Sequence, residues 1–300
     1  MDYSYSYKGD GTDMKLVNFK VDDQIRLGIK SDCGVIDVKE AAAAYSVKVP
    51  ETIEQVIATG KKGQAQLAEL LKRNVQSIAE EHITFAPCVT RPEKIICVGL
   101  NYISHRDECD IEVPEAPVLF SKFNNALAAH QETISLPQAA VKFDYEAELV
   151  IVIGKQAVNV PVKEALSYVF GYTVGNDLSA RDLQFRTGQW LLGKTCDQFA
   201  PIGPYLATAD ELDPQNLDIS CKVNGTVRQS ANTRDMIFDC ATIISYLSKH
   251  MTLKPGDLIF SGTPGGVILG YPEDKQHWLT SGDKISVTIE KIGTLENTLA

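Results

Sequence analysis

In the stretch FDYEAELVIVIGK, Phe143 to Lys155, acids at Asp144, Glu146 and Glu148 alternate directly ahead of the apolar run Leu149 to Ile153. Side chains on a strand alternate between faces, so these three carboxylates share one face while Tyr145, Ala147 and Leu149 take the other. Like charges beside an apolar run repel, and burial raises the cost unless a cation, an arginine or a lysine neutralises them. A wet strand end with solvated acids is the plain alternative. Asp177 weighs against it, because it closes a second strand pattern in GYTVGNDLSARD, where the small Thr173 and Gly175 precede it on the same face and leave room beside the acid. Oxygen ligands from Glu146, Glu148 and Asp177 suit a hard cation such as Mg²⁺, with Mn²⁺ or Ca²⁺ as alternatives, and water or substrate would complete roughly six positions.

Two further segments offer complementary chemistry. VGLNYISHRDE sets His105 three residues before Glu108, so both share a face if the stretch turns helically, and a carboxylate-oriented imidazole is a general base whose activity falls on protonation. His82, His130, His250 and His277 have no comparable partner, and a lone histidine is more often structural than catalytic. In WLLGKTCDQFAP, Lys194 follows an apolar run and a glycine, a setting for a half-buried ammonium facing an anion, or for a surface lysine after a turn. The glycines of SGTPGGV mark close backbone approach but lack phosphate-loop and dinucleotide spacings, so nucleotide binding is not inferred.

These groups need a frame, and composition bounds it. With 300 residues, 44% of them hydrophobic, the chain describes a soluble globular protein with one large core or two domains. The net charge of -10, without long runs of either sign, disfavours a nucleic-acid surface. No apolar run approaches the roughly 20 residues of a membrane helix, and the amino end lacks a basic, then apolar targeting pattern, so a cytoplasmic location is expected. Seven cysteines without a CxxC pair read as reduced, mostly packed thiols.

Residues 1–13 are a polar lead, read as an extension, and residues 14–86 as a small N-terminal α/β domain. PETIEQVIATG predicts a helix capped by Gly60, and QAQLAELLKRNVQSIAEE a second with Leu67, Leu70, Leu71, Val75 and Ile78 on one face. APCVTRPEK marks a boundary, after which residues 91–300 read as mainly β. Asn224-Gly225 predicts a tight hairpin, and Pro255-Gly256 a turn before another strand. Helices are expected over PVKEALSYVFG, ending at a capping Gly171, and over RDMIFDCATIISYLSKH, with Met236 and Ile237 on its apolar face.

Six ordered motifs, IICVGLNYISH, DYEAELVIVIGK, GYTVGNDLSARDLQ, WLLGKTCDQFAP, VNGTVRQSANTRDMIF and LKPGDLIFSGTPGGV, resemble the fumarylacetoacetate hydrolase family from about Arg91 to Gly293. The resemblance implies an α+β, mainly β fold: a mixed β-sandwich roll with a small α/β lead domain, usually assembled as a homodimer. It implies Mg²⁺, Mn²⁺ or Ca²⁺ held by Glu146, Glu148 and Asp177, with Asp144 outside the usual ligand set as a supporting group. It implies that His105 and Glu108 activate water from a mobile lid, that Lys194 is the active-site lysine, and that Arg181, Gln184 and Thr263 face substrate. GKTCDQF, SGTP and SANT depart from the family's common forms and bear on substrate choice.

The leading expectation is a divalent-metal-dependent hydrolase that cleaves a carbon–carbon bond in an acylpyruvate or β-diketo acid through an enolate stabilised by metal and lysine. Oxaloacetate decarboxylation, or isomerisation of an oxo-diene diacid, uses the same site if no water is positioned. A non-catalytic β-sandwich binding protein is the reading from a different class, and a structural Ca²⁺ site is a further plain option.

Overall fold

The computed structural model of the chain describes residues 14–108 and 114–300; the lead 1–13 and Cys109 lie outside the described residues. A large sheet runs in the order Gly34–Asp37, Gln24–Ser31, Lys15–Val21, Ala200–Thr208, Val169–Asn176, Ala147–Ile153, Leu258–Phe260, Ile95–Gly99, Val118–Lys122. A second sheet, Thr226–Asn232, Asp218–Val223, Lys284–Ile289, Gly293–Leu299 and Thr133–Ile134, faces it across a shared core. Most pairings are antiparallel, whereas Leu258–Phe260 runs parallel to Ile95–Gly99. The expected α+β, mainly β roll is therefore present.

Strand Ala147–Ile153 explains why acids give way so abruptly to aliphatics. Leu149, Ile151 and Ile153 enter the core shared with Ile219, Val287 and Leu295 of the second sheet. Val150 and Val152 enter another core with Ile53, Val56, Leu67 and Leu70 of the lead segment. A strand covered on both faces must be apolar at every position, and burying five such side chains contributes on the order of 10 kcal/mol before entropy is counted. Glu146 and Glu148 share the parity of Val150 and Val152, so they sit where that face ends.

The lead segment is joined to this sheet directly. Lys15–Val21 pairs antiparallel with Ala200–Thr208, Lys15 opposite Ala207 and Leu16 opposite Leu206. Its helices Ile53–Thr59 and Lys61–Leu71 meet at Gly60, whose φ of 55° ends one and starts the next, as only a residue without Cβ does easily. The second helix stops at Leu71, short of the periodic pattern. Ile78 is instead taken up by Val35, with both backbone hydrogen bonds at 2.8 Å.

PVKEALSYVFG also departs from expectation. Helix covers only Val162–Ala165, one tighter turn covers Leu166–Tyr168, and strand Val169–Asn176 begins before Gly171. The run Val169, Phe170, Tyr172 favours the sheet. Gly171 serves close strand packing rather than capping, since a Cβ there would lie 2.2 Å from the Ala207 carbonyl oxygen. The later helix spans Cys240–His250, because Asp239 caps it by accepting the Thr242 N–H at 2.6 Å; Met236 and Ile237 precede it. Asn224 and Gly225, at φ 50° and 79°, form the expected hairpin, and Gly256 at 88° the expected turn. Cys88, Cys97, Cys221 and Cys240 are buried free thiols, and burial pushes Cys88 up to about 11.

Candidate active site

The register between Ala147–Ile153 and Val169–Asn176 sets Ala147 opposite Asn176 and Glu148 opposite Gly175. Asp177, one residue beyond, donates its N–H to the Glu146 carbonyl at 2.9 Å. One carboxylate oxygen each from Glu146, Glu148 and Asp177 thus lies within 4.8 Å of the others, all three residues being buried. Thr173 and Gly175 do not shape this pocket as their size suggested. Thr173 donates to the Tyr205 carbonyl at 2.7 Å, and the space beside Gly175 is filled by Val150 and Phe260.

Cations hold two of the three acids. Lys194 Nζ is 2.7 Å from Glu146 Oε2 and 3.0 Å from Asp177 Oδ2. Arg181 Nη2 is 2.7 Å from Glu146 Oε1 and 2.9 Å from Asp144 Oδ2. Lys122 Nζ is 2.5 Å from Asp177 Oδ1 and donates to the Leu178 carbonyl at 3.0 Å. Burial opposes ionisation of Glu146, but Lys194, Arg181 and His105 outweigh it and hold that carboxyl well below the usual range. Burial likewise disfavours the Lys194 ammonium, and Asp177 and Glu146 overcome it. Glu148 differs: burial, then Asp177 and Glu146, push it well above the usual range against the Gly262 N–H, which donates to it at 2.7 Å.

Four buried carboxylates, Asp144, Glu146, Glu148 and Asp177, therefore face three buried cations, Lys122, Arg181 and Lys194. With all four acids ionised the cluster is, among the described residues, one positive charge short; its donors are hard oxygens, and Glu148 is the acid left there without an ion-pair partner. These residues fit a hard divalent cation.

His105 and Glu108 lie on one turn of helix Ile103–Glu108, as their spacing predicts, with His105 Nδ1 2.7 Å from Glu108 Oε1. Glu108 Oε2 accepts the Gly266 N–H at 2.7 Å, and Ser104 Oγ accepts the Gly265 N–H at 3.0 Å. The SGTPGGV loop thus meets carboxylates and a hydroxyl through its amides: Gly262 on Glu148, Gly266 on Glu108. With Nδ1 engaged, Nε2 is the imidazole atom left for proton transfer. His105 lines a cavity of about 80 Å³ together with Glu146, Glu148, Arg181, Lys194 and Thr263.

The substrate-side expectations fare differently. Gln184 and Thr263 line the cavity, but Gln184 Oε1 accepts from Arg181 Nη1 at 2.9 Å and Thr263 Oγ1 accepts from Gln229 Nε2 at 2.8 Å. Arg181 lines the cavity too, donating from Nε to Asp144 and from Nη1 to Gln184 and lying within ion-pair distance of Glu146. Lys194 is more deeply buried than the sequence suggested, at 1% exposure. Its helical turn can pack there because Gly193 has no Cβ, which would stand 2.4 Å from Gln184 N.

Sequence reading missed Lys122 and Gln229. Lys122 ends an apolar run, VLFSK, where a lysine ordinarily reaches solvent. Gln229 Nε2 donates to Thr263 and Pro264, while its Oε1 accepts the Ala147 N–H at 2.9 Å, tying the hairpin to the site. Asp144, expected to support the site, accepts the Ile268 and Leu269 N–H groups at 2.8 and 3.0 Å as well as Arg181.

The Fumarylacetoacetate (FAA) hydrolase C-terminal family matches residues 94–300, a span that carries all these groups. The chain belongs to the fumarylacetoacetate hydrolase family. It is 39% identical over 290 residues to the mitochondrial oxaloacetate tautomerase of Rattus norvegicus, covering 95% of this chain and 91% of that one. Among solved structures it is similar to a fumarylacetoacetate hydrolase from psychrophilic Exiguobacterium antarcticum, with a TM-score of 0.83, 34% identity and coverage of 95% and 99%. It is also similar to the maleylpyruvate hydrolase of Sphingobium sp. SYK-6 in complex with manganese (II) ion and pyruvate, with a TM-score of 0.78, 29% identity and coverage of 96% and 99%. These fumarylacetoacetate hydrolase family relatives are enzymes, as is this chain. No helix among its described residues is long and apolar enough to cross a membrane.

Proposed function

We propose that the chain is a divalent-metal-dependent enzyme that interconverts the keto and enol forms of oxaloacetate. The observation that carries this reading is the opening of His105, oriented by Glu108, into the same small cavity as the three carboxylates and Lys194. At about 80 Å³, and with each water-sized group needing ~10–15 Å³, that cavity suits a short diacid better than a long acyl chain. The likeness to oxaloacetate tautomerases over nearly the whole chain supports the choice of substrate.

Glu146, Glu148 and Asp177 would hold Mg²⁺ or Mn²⁺. When bound, the cation supplies a Lewis acid for the 2-oxo oxygen. His105 removes a proton from C3; the C–H electron pair becomes the C2–C3 double bond, and the carbonyl π pair moves to oxygen, which takes a proton back from the imidazolium. The reverse steps return the keto form. Lys122, Lys194 and Arg181 pair with and orient Glu146 and Asp177, and Gln184 and Thr263 border the substrate.

Carbon–carbon bond hydrolysis of an acylpyruvate is the second reading, favoured by the likeness to the maleylpyruvate hydrolase. It needs the same dyad to deprotonate water instead of C3. Decarboxylation of oxaloacetate needs neither proton transfer by His105 nor water. A homodimer and a cytoplasmic location are further parts of this proposal. Exchange of the oxaloacetate C3 protons with deuterium, followed by proton NMR in D₂O with Mg²⁺, tests it: catalysed exchange that needs His105 supports the reading, and loss of substrate without exchange speaks for decarboxylation.

A further inference from the structure

We propose that Trp190, backed by Phe120, is the residue that limits this site to short substrates, by walling the cavity off from a larger groove beside it. This deepens the reading above and rests on it for the natural substrate alone. Both aromatic rings border two spaces. On one side is the cavity of about 80 Å³ that holds Glu146, Glu148, Lys194 and His105. On the other is a groove of about 810 Å³, open to solvent, lined by Leu119, Asn124, Gln189 and Met251.

The wall is built, not incidental. The two rings meet edge to face with centroids 5.4 Å apart and planes at 63°, an arrangement aromatic pairs favour. Gly99 seats the indole: a Cβ at that position would stand 3.0 Å from Trp190 Cζ3. Phe120 also carries the Lys194 ammonium 4.9 Å from its ring centroid. The Trp190 carbonyl accepts the N–H groups of Gly193 and Lys194 at 3.0 and 3.2 Å, so the wall and the buried lysine belong to one turn of chain. A substrate tail extending beyond a few atoms on this side meets the indole, and removal of the indole joins the cavity to the groove.

The test uses the full chain loaded with Mn²⁺ and measures, by calorimetry, binding of 2-oxobutyrate and 2-oxooctanoate to the parent and to Trp190→Ala, Trp190→Leu and Trp190→Phe. Both acids present the same chelating end and differ only in tail length, so the readout does not depend on which reaction the site performs. The expected result is at least a tenfold gain in the 2-oxooctanoate to 2-oxobutyrate affinity ratio for Trp190→Ala, with a smaller gain for Trp190→Leu and the parental ratio for Trp190→Phe. Trp190→Leu keeps an apolar contact with Phe120 and reports if the alanine variant does not fold. A ratio unchanged in the leucine or alanine variant, with both affinities falling together, would overturn the proposal and leave Trp190 as support for Lys194. Should tautomerase activity prove absent while the ratio shifts as expected, the wall stands and the substrate assignment falls.

Discussion

The two oxygens of Asp177 are divided between two buried lysines, Oδ1 at 2.5 Å from Lys122 and Oδ2 at 3.0 Å from Lys194. Removing one partner of such a pair leaves an uncompensated buried charge, at a cost of roughly 3–5 kcal/mol. Lys122→Met should therefore lower stability by about that amount in chemical denaturation. Mn²⁺ should recover part of the loss, because a cation at the cluster restores the missing positive charge. Equal losses with and without Mn²⁺ would argue that Asp177 does not take part in a cation site.

His105 and Glu108 act as a unit in the proposed proton transfer. His105→Asn should lower the turnover number on the order of 10²–10⁴-fold, the usual range for a general base, while Mn²⁺ affinity stays near that of the parent. Glu108→Gln should cost less, since the amide can still accept from Gly266 but no longer balances an imidazolium. Mn²⁺ titration alongside steady-state kinetics separates the two effects.

Among the described residues Glu148 has no ion-pair partner of its own, and a glutamine there would keep the Gly262 hydrogen bond while removing charge. Losing a metal-supporting group one layer out typically costs 10–100-fold in affinity, so Glu148→Gln should weaken Mn²⁺ by more than about 100-fold. The variant should also be at least as stable as the parent without metal, because burial disfavours that carboxylate's charge. Unchanged Mn²⁺ affinity would support the reading of a binding protein with incidental acids.

His130 gives a pH signature away from the site. Burial lowers it from 6.5 to about 4, Glu80 only partly opposing, and its Nδ1 accepts the Glu296 N–H at 3.0 Å, which requires the unprotonated nitrogen. The unfolded chain thus binds this proton at higher pH than the folded one. Stability is intact above pH 6.5 and falls as pH drops from there toward 4. His130→Asn, which keeps an acceptor but cannot titrate, should flatten the melting temperature against pH over that window. Parallel curves for parent and variant would contradict the assignment.

Much of the site was legible because strand parity is a strict rule. Glu146 and Glu148 had to share a face, and helical spacing alone joined His105 to Glu108, whereas Asp177 could be read only as the acid closing a second strand pattern, its place beside them being set by strand pairing. Lys122 stayed hidden because its partner lies 55 positions along the chain and a lysine at a strand end carries no local mark of burial. Arg181 was expected on the substrate side from the family resemblance alone; that Asp144 and Glu146 also hold it does not show in the sequence, because both contacts depend on the fold. Gly171 was read as a cap by its position after a short helical pattern, whereas sheet pairing on both sides decided its conformation.

The most direct measurement follows enol-oxaloacetate by its ultraviolet absorbance, with total oxaloacetate and CO₂ assayed in parallel, for the parent and His105→Asn with Mn²⁺ and after chelation. The account predicts accelerated decay of the enol to the keto form, with oxaloacetate conserved and no CO₂ released, and loss of that acceleration in the variant and on chelation. Oxaloacetate consumed to pyruvate and CO₂ with His105→Asn fully active, or an enol decay no faster than in buffer, would contradict it.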